Sequence, residues 1–120
     1  MQSKFFNHQG ASLHYQIGGK EAASVMVLLH GGFGSIADFE PLLPRLLQHY
    51  RVIAVDTRGH GRSTRGDVPL TYAQTADDAR QIIEAVGLRQ FHLFGFSDGG
   101  TTAYRLGAED KNIEKIITVG

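Results

Sequence analysis

Three short apolar runs, each closing on a glycine-rich or polar loop and separated by helix-length stretches, constrain this chain more than anything else in it. Val25-Met26-Val27-Leu28-Leu29 leads into His30-Gly31-Gly32-Phe33-Gly34, and Val52-Ile53-Ala54-Val55 into Asp56-Thr57-Arg58-Gly59-His60-Gly61-Arg62-Ser63. Phe91 to Phe96 runs into Ser97-Asp98-Gly99. Unbroken runs of this length, bounded by turn residues, suit strands buried on both faces, the kind found in parallel sheets.

The stretches between them read as helices. Phe39, Leu42, Leu43, Leu46, Leu47 and Tyr50 recur at helical spacing, with Pro41 and Pro44 delaying the start of the regular helix. Thr71, with Gln74 three residues on, gives a capping-box signal. Tyr72, Ala76, Ala79, Ile82, Ile83 and Val86 then trace one apolar stripe that Gly87 ends as a left-handed C-cap. Gly99 to Leu106 is a third helix and Ile113 to Val119 a further strand. Lys4 to Asn7 and Ser12 to Ile17, joined by a tight turn, make an antiparallel hairpin in front of them. Strands alternating with helices predict an α/β fold over residues 1–120: a single domain with a mostly parallel sheet and an N-terminal hairpin at its edge. In such sheets the reactive loops gather at the carboxyl ends of the parallel strands.

Composition removes several classes of function. Lysine plus arginine and aspartate plus glutamate both number 12, so no basic field is available for nucleic acid or an anionic membrane. With no cysteine, disulfides, thiolate nucleophiles and cysteine-ligated metals drop out, and nucleophilic work falls to serine. The first ten residues carry no continuous hydrophobic region of the signal-peptide kind, and Val25 to Leu29 falls far short of the roughly 20 residues of a spanning helix. The expectation is a cytoplasmic protein with no metal and no cofactor.

Gly95-Phe96-Ser97-Asp98-Gly99 is a G-x-S-x-G sequence lying between a predicted buried strand and a predicted helix, the context that gives this short pattern its meaning. Glycines two before and two after the serine leave room for the chain to reverse sharply, so the hydroxyl is pushed clear of the sheet. At the start of the following helix, unpaired amides favour developing negative charge. The amide of Asp98 is one natural oxyanion donor, and Gly32 or Phe33 in the first glycine-rich loop offers a second. Each such donor is worth roughly 3–4 kcal/mol of transition-state stabilisation. His30 and His60 read as residues that hold their loops, Asp56 as a brace at a strand end, and Arg58 and Arg62 as structural or solvated. His8, His14, His49 and His92 carry no functional signal.

With all three loop motifs in this order, the chain resembles the α/β-hydrolase fold from its first hairpin through that fold's sixth strand. The resemblance implies Ser97 as nucleophile and the amides of Gly32 and Asp98 as the oxyanion hole. Serine at the elbow disfavours the aspartate-nucleophile branches, the haloalkane dehalogenases and epoxide hydrolases. The Ser-Asp-Gly-Gly elbow is similar to that of biphenyl hydrolase-like enzymes, some of which use the acid beside the nucleophile to hold a substrate amine. Asp98 therefore has two readings, that role or a solvated first-turn residue complementing the helix dipole. Phe33 is a further candidate for substrate contact.

In this family the lid, the triad acid and the triad histidine follow the sixth strand, so the chain reads as an N-terminal part lacking both. A serine hydroxyl is a weak nucleophile without that histidine, and loss of a triad base costs on the order of a millionfold in rate. The expectation is a serine hydrolase of carboxylic esters or related acyl compounds that by itself turns over little. The alternatives are a non-catalytic ligand-binding module and a complementation half needing a second chain. Ile113 to Val119 would then lie at an open, apolar sheet edge that invites self-association or a complementing partner.

Overall fold

In the computed structural model, which describes residues 1–120, β1 (Gln2–His8) and β2 (Ala11–Gly19) form the expected hairpin. Its two turn residues, Gln9 and Gly10, have φ of 44° and 78°. Positive φ at both positions is what the tightest hairpin turns require, because it matches the twist of the strands.

The sheet continues with β3 (Val25–Leu29), β4 (Arg51–Val55), β5 (Phe91–Phe96) and β6 (Ile113–Val119), in the order β1-β2-β4-β3-β5-β6. β2 runs antiparallel to both β1 and β4, whereas β3 pairs in parallel with β4 and β5, and β5 in parallel with β6. The mixed sheet is thus the parallel sheet with an antiparallel hairpin that the sequence predicts. β6 lies at one edge and β1 at the other.

Alternation along the central strands explains why both faces are covered. Val27, Leu29, Ile53, Val55 and Leu93 point to one side, where they join Ala76, Ala79, Ile82 and Ile83 of α2 (Tyr72–Val86) and Ala103 and Leu106 of α3 (Asp98–Glu109). Met26, Leu28, Val52 and Ala54 point to the other. They meet Ile36 and Phe39 of a short 3-10 helix, Ile36–Phe39, and half-buried Leu43, Leu46 and Leu47 of α1 (Leu43–His49). With apolar cover on both sides, every side chain of β3 after Val25 is buried, as a continuous apolar run requires.

The helix ends follow local chemistry, with one difference from expectation. Gly87 caps α2 at φ 82°, its amide reaching the carbonyls of Ile83 and Glu84. Thr71 accepts from the Gln74 amide, but the Gln74 side chain does not return to close a capping box. It donates instead to Asp78 one turn on, at 2.9 Å, where a carboxylate is the stronger acceptor. Tyr72, counted in the apolar stripe, is exposed because it precedes the first turn that touches the core. Pro44 sits in the first turn of α1, where its missing N–H costs nothing. No helix is long and apolar enough to cross a membrane.

β3 and β5 are neighbours, yet the chain leaves β3 toward β4 on one side and β5 toward β6 on the other. Loops at the carboxyl ends of two such strands diverge and leave a crevice, the usual place for a ligand in an open α/β sheet. These two loops are His30–Gly34 and the turn carrying Ser97.

Leu93 is fully buried between the helical layer and β3, whereas Ile117 on β6 is exposed. Leu93→Ala should cost about 2–5 kcal/mol in urea unfolding, and Ile117→Thr should stay within about 0.5 kcal/mol of wild type. Equal losses at the two positions would contradict this placement of the core.

Candidate active site

Ser97 has φ 54° and ψ −114°, a backbone conformation that a residue with a side chain seldom adopts. It lies between the last residue of β5 and the first of α3, so the chain turns from strand to helix within one residue. The glycines around it make this possible. A Cβ on Gly95 would fall on the backbone of Gly99 and Gly100, and one on Gly99 would fall on the carbonyls of Leu29 and His30. The elbow is therefore closed by backbone lying on backbone, and α3 starts directly against the end of β3.

Ser97 is exposed and its side chain makes no capping hydrogen bond to the helix it precedes. Its amide donates to the Val119 carbonyl at 2.8 Å, and its carbonyl accepts from Gly100 at 2.9 Å. The amide of Asp98, first in α3, has no acceptor within the chain, as the opening residues of a helix generally lack one. Gly32 and Phe33 likewise have uncommitted amides, the backbone–backbone bond within that turn being Gly34 N–H to the Gly31 carbonyl at 3.2 Å. A Cβ on Gly31 would lie 3.3 Å from Ser97 Cβ, and one on Gly32 would collide with the Asp98 carboxylate. The loop after β3 thus lies against the elbow, and the structure brings Ser97, Asp98 and Gly32 together.

Phe33 is different. Held at φ 62° and fully exposed, it does not line the cleft described next.

A cleft of about 490 Å³ opens between these loops and the start of α2. It is lined by His30, Gly31 and Gly32 of the loop after β3, Thr57 and His60 of the loop after β4, Leu70 to Tyr72 with Thr75 around the start of α2, and Asp98, Gly99 and Thr102 of α3. Tyr72 donates its hydroxyl to Asp98 Oδ1 at 2.7 Å, and that bond to a carboxylate holds the phenol above its ordinary pKa. Asp98 is therefore exposed but not simply solvated. A smaller groove of about 200 Å³ on the other side of His30 is apolar, lined by Phe39, Leu42, Phe94, Phe96 and Val119.

The histidines nearest the cleft are already employed. His30 is buried, with Nδ1 2.7 Å from the Gly31 carbonyl and Nε2 accepting from the Thr57 amide at 2.9 Å. Burial lowers its pKa and favours the neutral ring, against a smaller opposing pull from the Gly31 carbonyl. His60 places Nδ1 3.0 Å from the Arg58 carbonyl, and its ring lies 5.4 Å from that of His30. Both hold the loops, and neither is hydrogen-bonded to Ser97.

Below the cleft two buried acids organise the loop after β4. Asp56 accepts from the amides of Ile36 and Arg62 at 2.9 and 3.0 Å and lies 2.7 Å from His14 Nδ1. Burial works to raise its pKa, but these three bonds together outweigh it and hold the carboxyl below the ordinary value. Arg58, 1% exposed, grips Asp78 of α2 through Nε and Nη2, both at 2.9 Å, and donates to the carbonyls of His8, Gln9 and Arg65. The bond to Asp78 raises the pKa of the guanidinium. Of the alternatives open for Arg58, structural or solvated, the structure selects the first. No spacing in the sequence signals a partner on a helix 20 residues away.

His8, Asp77 and Asp78 bring three metal-capable groups together. His8 Nε2 lies 2.7 Å from an Asp77 carboxylate oxygen and Asp78 is bound by Arg58, so each of the three groups already has a protein partner.

A strained serine between two glycines, at the carboxyl end of a strand beside the sheet's switch point, defines the α/β-hydrolase class, and the chain belongs to that family. The family model for the alpha/beta hydrolase fold matches residues 24–120. The chain is 35% identical over 111 residues to a protein of Caulobacter vibrioides named "Putative carbamate hydrolase RutD", covering 89% of this chain and 41% of that protein. It is 36% identical over 103 residues to 3-oxoadipate enol-lactonase 1 of Acinetobacter baylyi, covering 84% of this chain and 38% of the relative. Among solved structures, the enol-lactonase of Burkholderia xenovorans LB400 superposes with a TM-score of 0.88 at 29% identity, over 94% of this chain and 45% of that one. The chain thus spans about two-fifths of the length of the relatives it matches.

Arg58→Met should cost about 3–5 kcal/mol, because it leaves Asp78 buried and unpaired, and Arg58→Met with Asp78→Leu should recover much of that loss. Urea unfolding of the three proteins checks it, and a double variant no better than the single one would contradict it. Both His30 and Asp56 have folded pKa values below their ordinary 6.5 and 3.8, so each contributes stability above those values that is lost as pH falls through the lowered ones. The stability gap between wild type and Asp56→Asn should therefore be widest near neutrality and narrow below about pH 4. A gap independent of pH would exclude ionised Asp56 as its source.

Proposed function

We propose that Ser97 is the nucleophile of a serine hydrolase that cleaves carboxylic esters or related acyl compounds through an acyl-enzyme. The observation that carries this reading is the Ser97 backbone, φ 54° and ψ −114°, exposed at a strand-to-helix turn beside uncommitted amides. Strain of this kind persists only where the surroundings over-determine it, and here glycine-on-backbone packing does so.

In the reaction, the Ser97 hydroxyl attacks the acyl carbon and the carbonyl oxygen takes up negative charge. The amides of Asp98 and Gly32 receive that charge, supplemented by the positive end of α3. The names of the relatives, a carbamate hydrolase and an enol-lactonase, fit cleavage of an acyl compound. The polar cleft beside Asp98 takes the portion of the substrate with hydrogen-bonding groups, and the apolar groove lined by Phe94 and Phe96 takes hydrocarbon. The Asp98 carboxylate, shared with Tyr72, is the place in the cleft where a substrate amine would be held.

The proton acceptor for Ser97 and its orienting acid come from outside these 120 residues. Supporting this are the engaged ring nitrogens of His30, the lack of any hydrogen bond between Ser97 and a histidine, and the two-fifths of its relatives' length that the chain spans. The outer edge of β6 is the surface on which further strands, or a complementing chain, would pair.

A fluorophosphonate probe tests both parts, read by mass on the tryptic peptide Gln90–Arg105, which carries Ser97. The 120-residue chain should leave that peptide unlabelled, and the longest protein product carrying this sequence should label it and lose the label in Ser97→Ala. Labelling at Ser97 in the short chain would overturn the external base. No labelling in the longer product would overturn Ser97 as nucleophile.

A further inference from the structure

A second serine, histidine and aspartate are hydrogen-bonded in series away from the cleft. Ser3 Oγ on β1 lies 2.9 Å from His14 Nε2 on β2, and His14 Nδ1 lies 2.7 Å from Asp56 Oδ2 at the end of β4. The strand register accounts for the meeting: β1 pairs Ser3 with Gln16 and Phe5 with His14, so Ser3 and His14 are diagonal neighbours on one face of the hairpin. Burial falls off in the order a nucleophile needs. Asp56 and His14 are both 2% exposed, while Ser3 is on the surface.

Hydrogen-bond accounting fixes the roles. Asp56 already accepts from two backbone amides, and as a carboxylate it has no proton to give, so His14 Nδ1 must be the donor to it. In the neutral ring Nε2 is then the acceptor, and the Ser3 hydroxyl must donate to it. That is the proton arrangement of a catalytic triad: acid fixing the tautomer, imidazole receiving the serine proton. Around Ser3 Oγ stand two further N–H donors, Arg62 Nη1 and Gln16 Nε2, each at 3.4 Å. The Arg62 guanidinium is steadied over the Phe5 ring, 5.2 Å from its centroid.

We propose that Ser3 is a second, base-activated serine that is acylated by small activated esters at the hairpin surface. The Oγ–carbon bond forms as the Ser3 proton passes to His14 Nε2. The ester C–O bond then breaks, the departing aryloxide takes up that proton from the imidazolium, and an ester on Ser3 with a free phenol results. Asp56 keeps its charge throughout and stabilises the imidazolium, while Arg62 and Gln16 face the side on which the carbonyl oxygen becomes negative. Ser3 lines neither of the two clefts described above, so the substrates are small and self-activated, such as an aryl acetate, and selectivity for the acyl group is low.

The test uses the 120-residue chain with p-nitrophenyl acetate, reading acetylation by mass on the tryptic peptide Met1–Lys4, with N-terminal acetylation separated by fragmentation. Ser3 should be acetylated at least about a hundredfold faster in the native chain than in the same chain unfolded in urea, the increment a positioned general base supplies. His14→Gln should remove that difference, and Ser97→Ala should leave it unchanged. Equal rates in native and unfolded wild type would overturn the proposal whether or not His14→Gln folds, as would a Ser3 rate that His14→Gln leaves intact. Because the adduct is assigned to Met1–Lys4 or to Gln90–Arg105, the fate of this proposal is independent of that of Ser97.

Discussion

Everything at the cleft depends on how closely the backbone of α3 approaches the end of β3. Gly99 rests against the carbonyls of Leu29 and His30 with no room for a single carbon between them. Two segments 70 residues apart in sequence are thereby locked at the switch point, and from that contact the remaining geometry follows. Gly31 is pressed against Ser97, Gly32 against the Asp98 carboxylate, and the uncommitted amides of the two loops end up in one place. Bulk anywhere in this contact would separate the loops, so glycine here sets a distance as much as a turn.

The second tier is electrostatic. Asp56 gathers the 3-10 helix, the loop after β4 and the N-terminal hairpin, while Arg58 gathers that same loop, the hairpin turn and α2. Two residues apart on one loop, they fasten it on opposite sides with charges that burial makes costly to leave unpaired. His30 and His60 complete the scaffold with bonds to the backbone of Gly31, Thr57 and Arg58.

The strands, the helices, the late start of α1, the Gly87 cap and the elbow were all legible in the sequence, because each is written in local periodicity or in residues that only certain backbone conformations accept. The nearness of Ser97, Asp98 and Gly32 in the candidate site was legible to the same extent, because they belong to contiguous motifs. What was not legible is every partnership made across the fold. His14 carried no signal because its partners, Ser3 and Asp56, lie 11 and 42 residues away. Arg58 had two readings until its partner on α2 was known. Tyr72 followed the apolar stripe, and its hydroxyl bond to Asp98 depends on where two helices start in space. Phe33, placed beside a glycine motif, was expected near substrate; it is fully exposed and does not line the cleft.

The Arg58 site also bears on how the molecule comes apart. Its acceptors lie at positions 8, 9, 65 and 78, in the hairpin, a loop and the middle of α2. If the hairpin peels away, the bonds from this guanidinium to the carbonyls of His8 and Gln9 are lost while those to Asp78 remain, and water must replace the two carbonyls. The hairpin, though an edge, is thereby fastened to the helical layer through one buried charge.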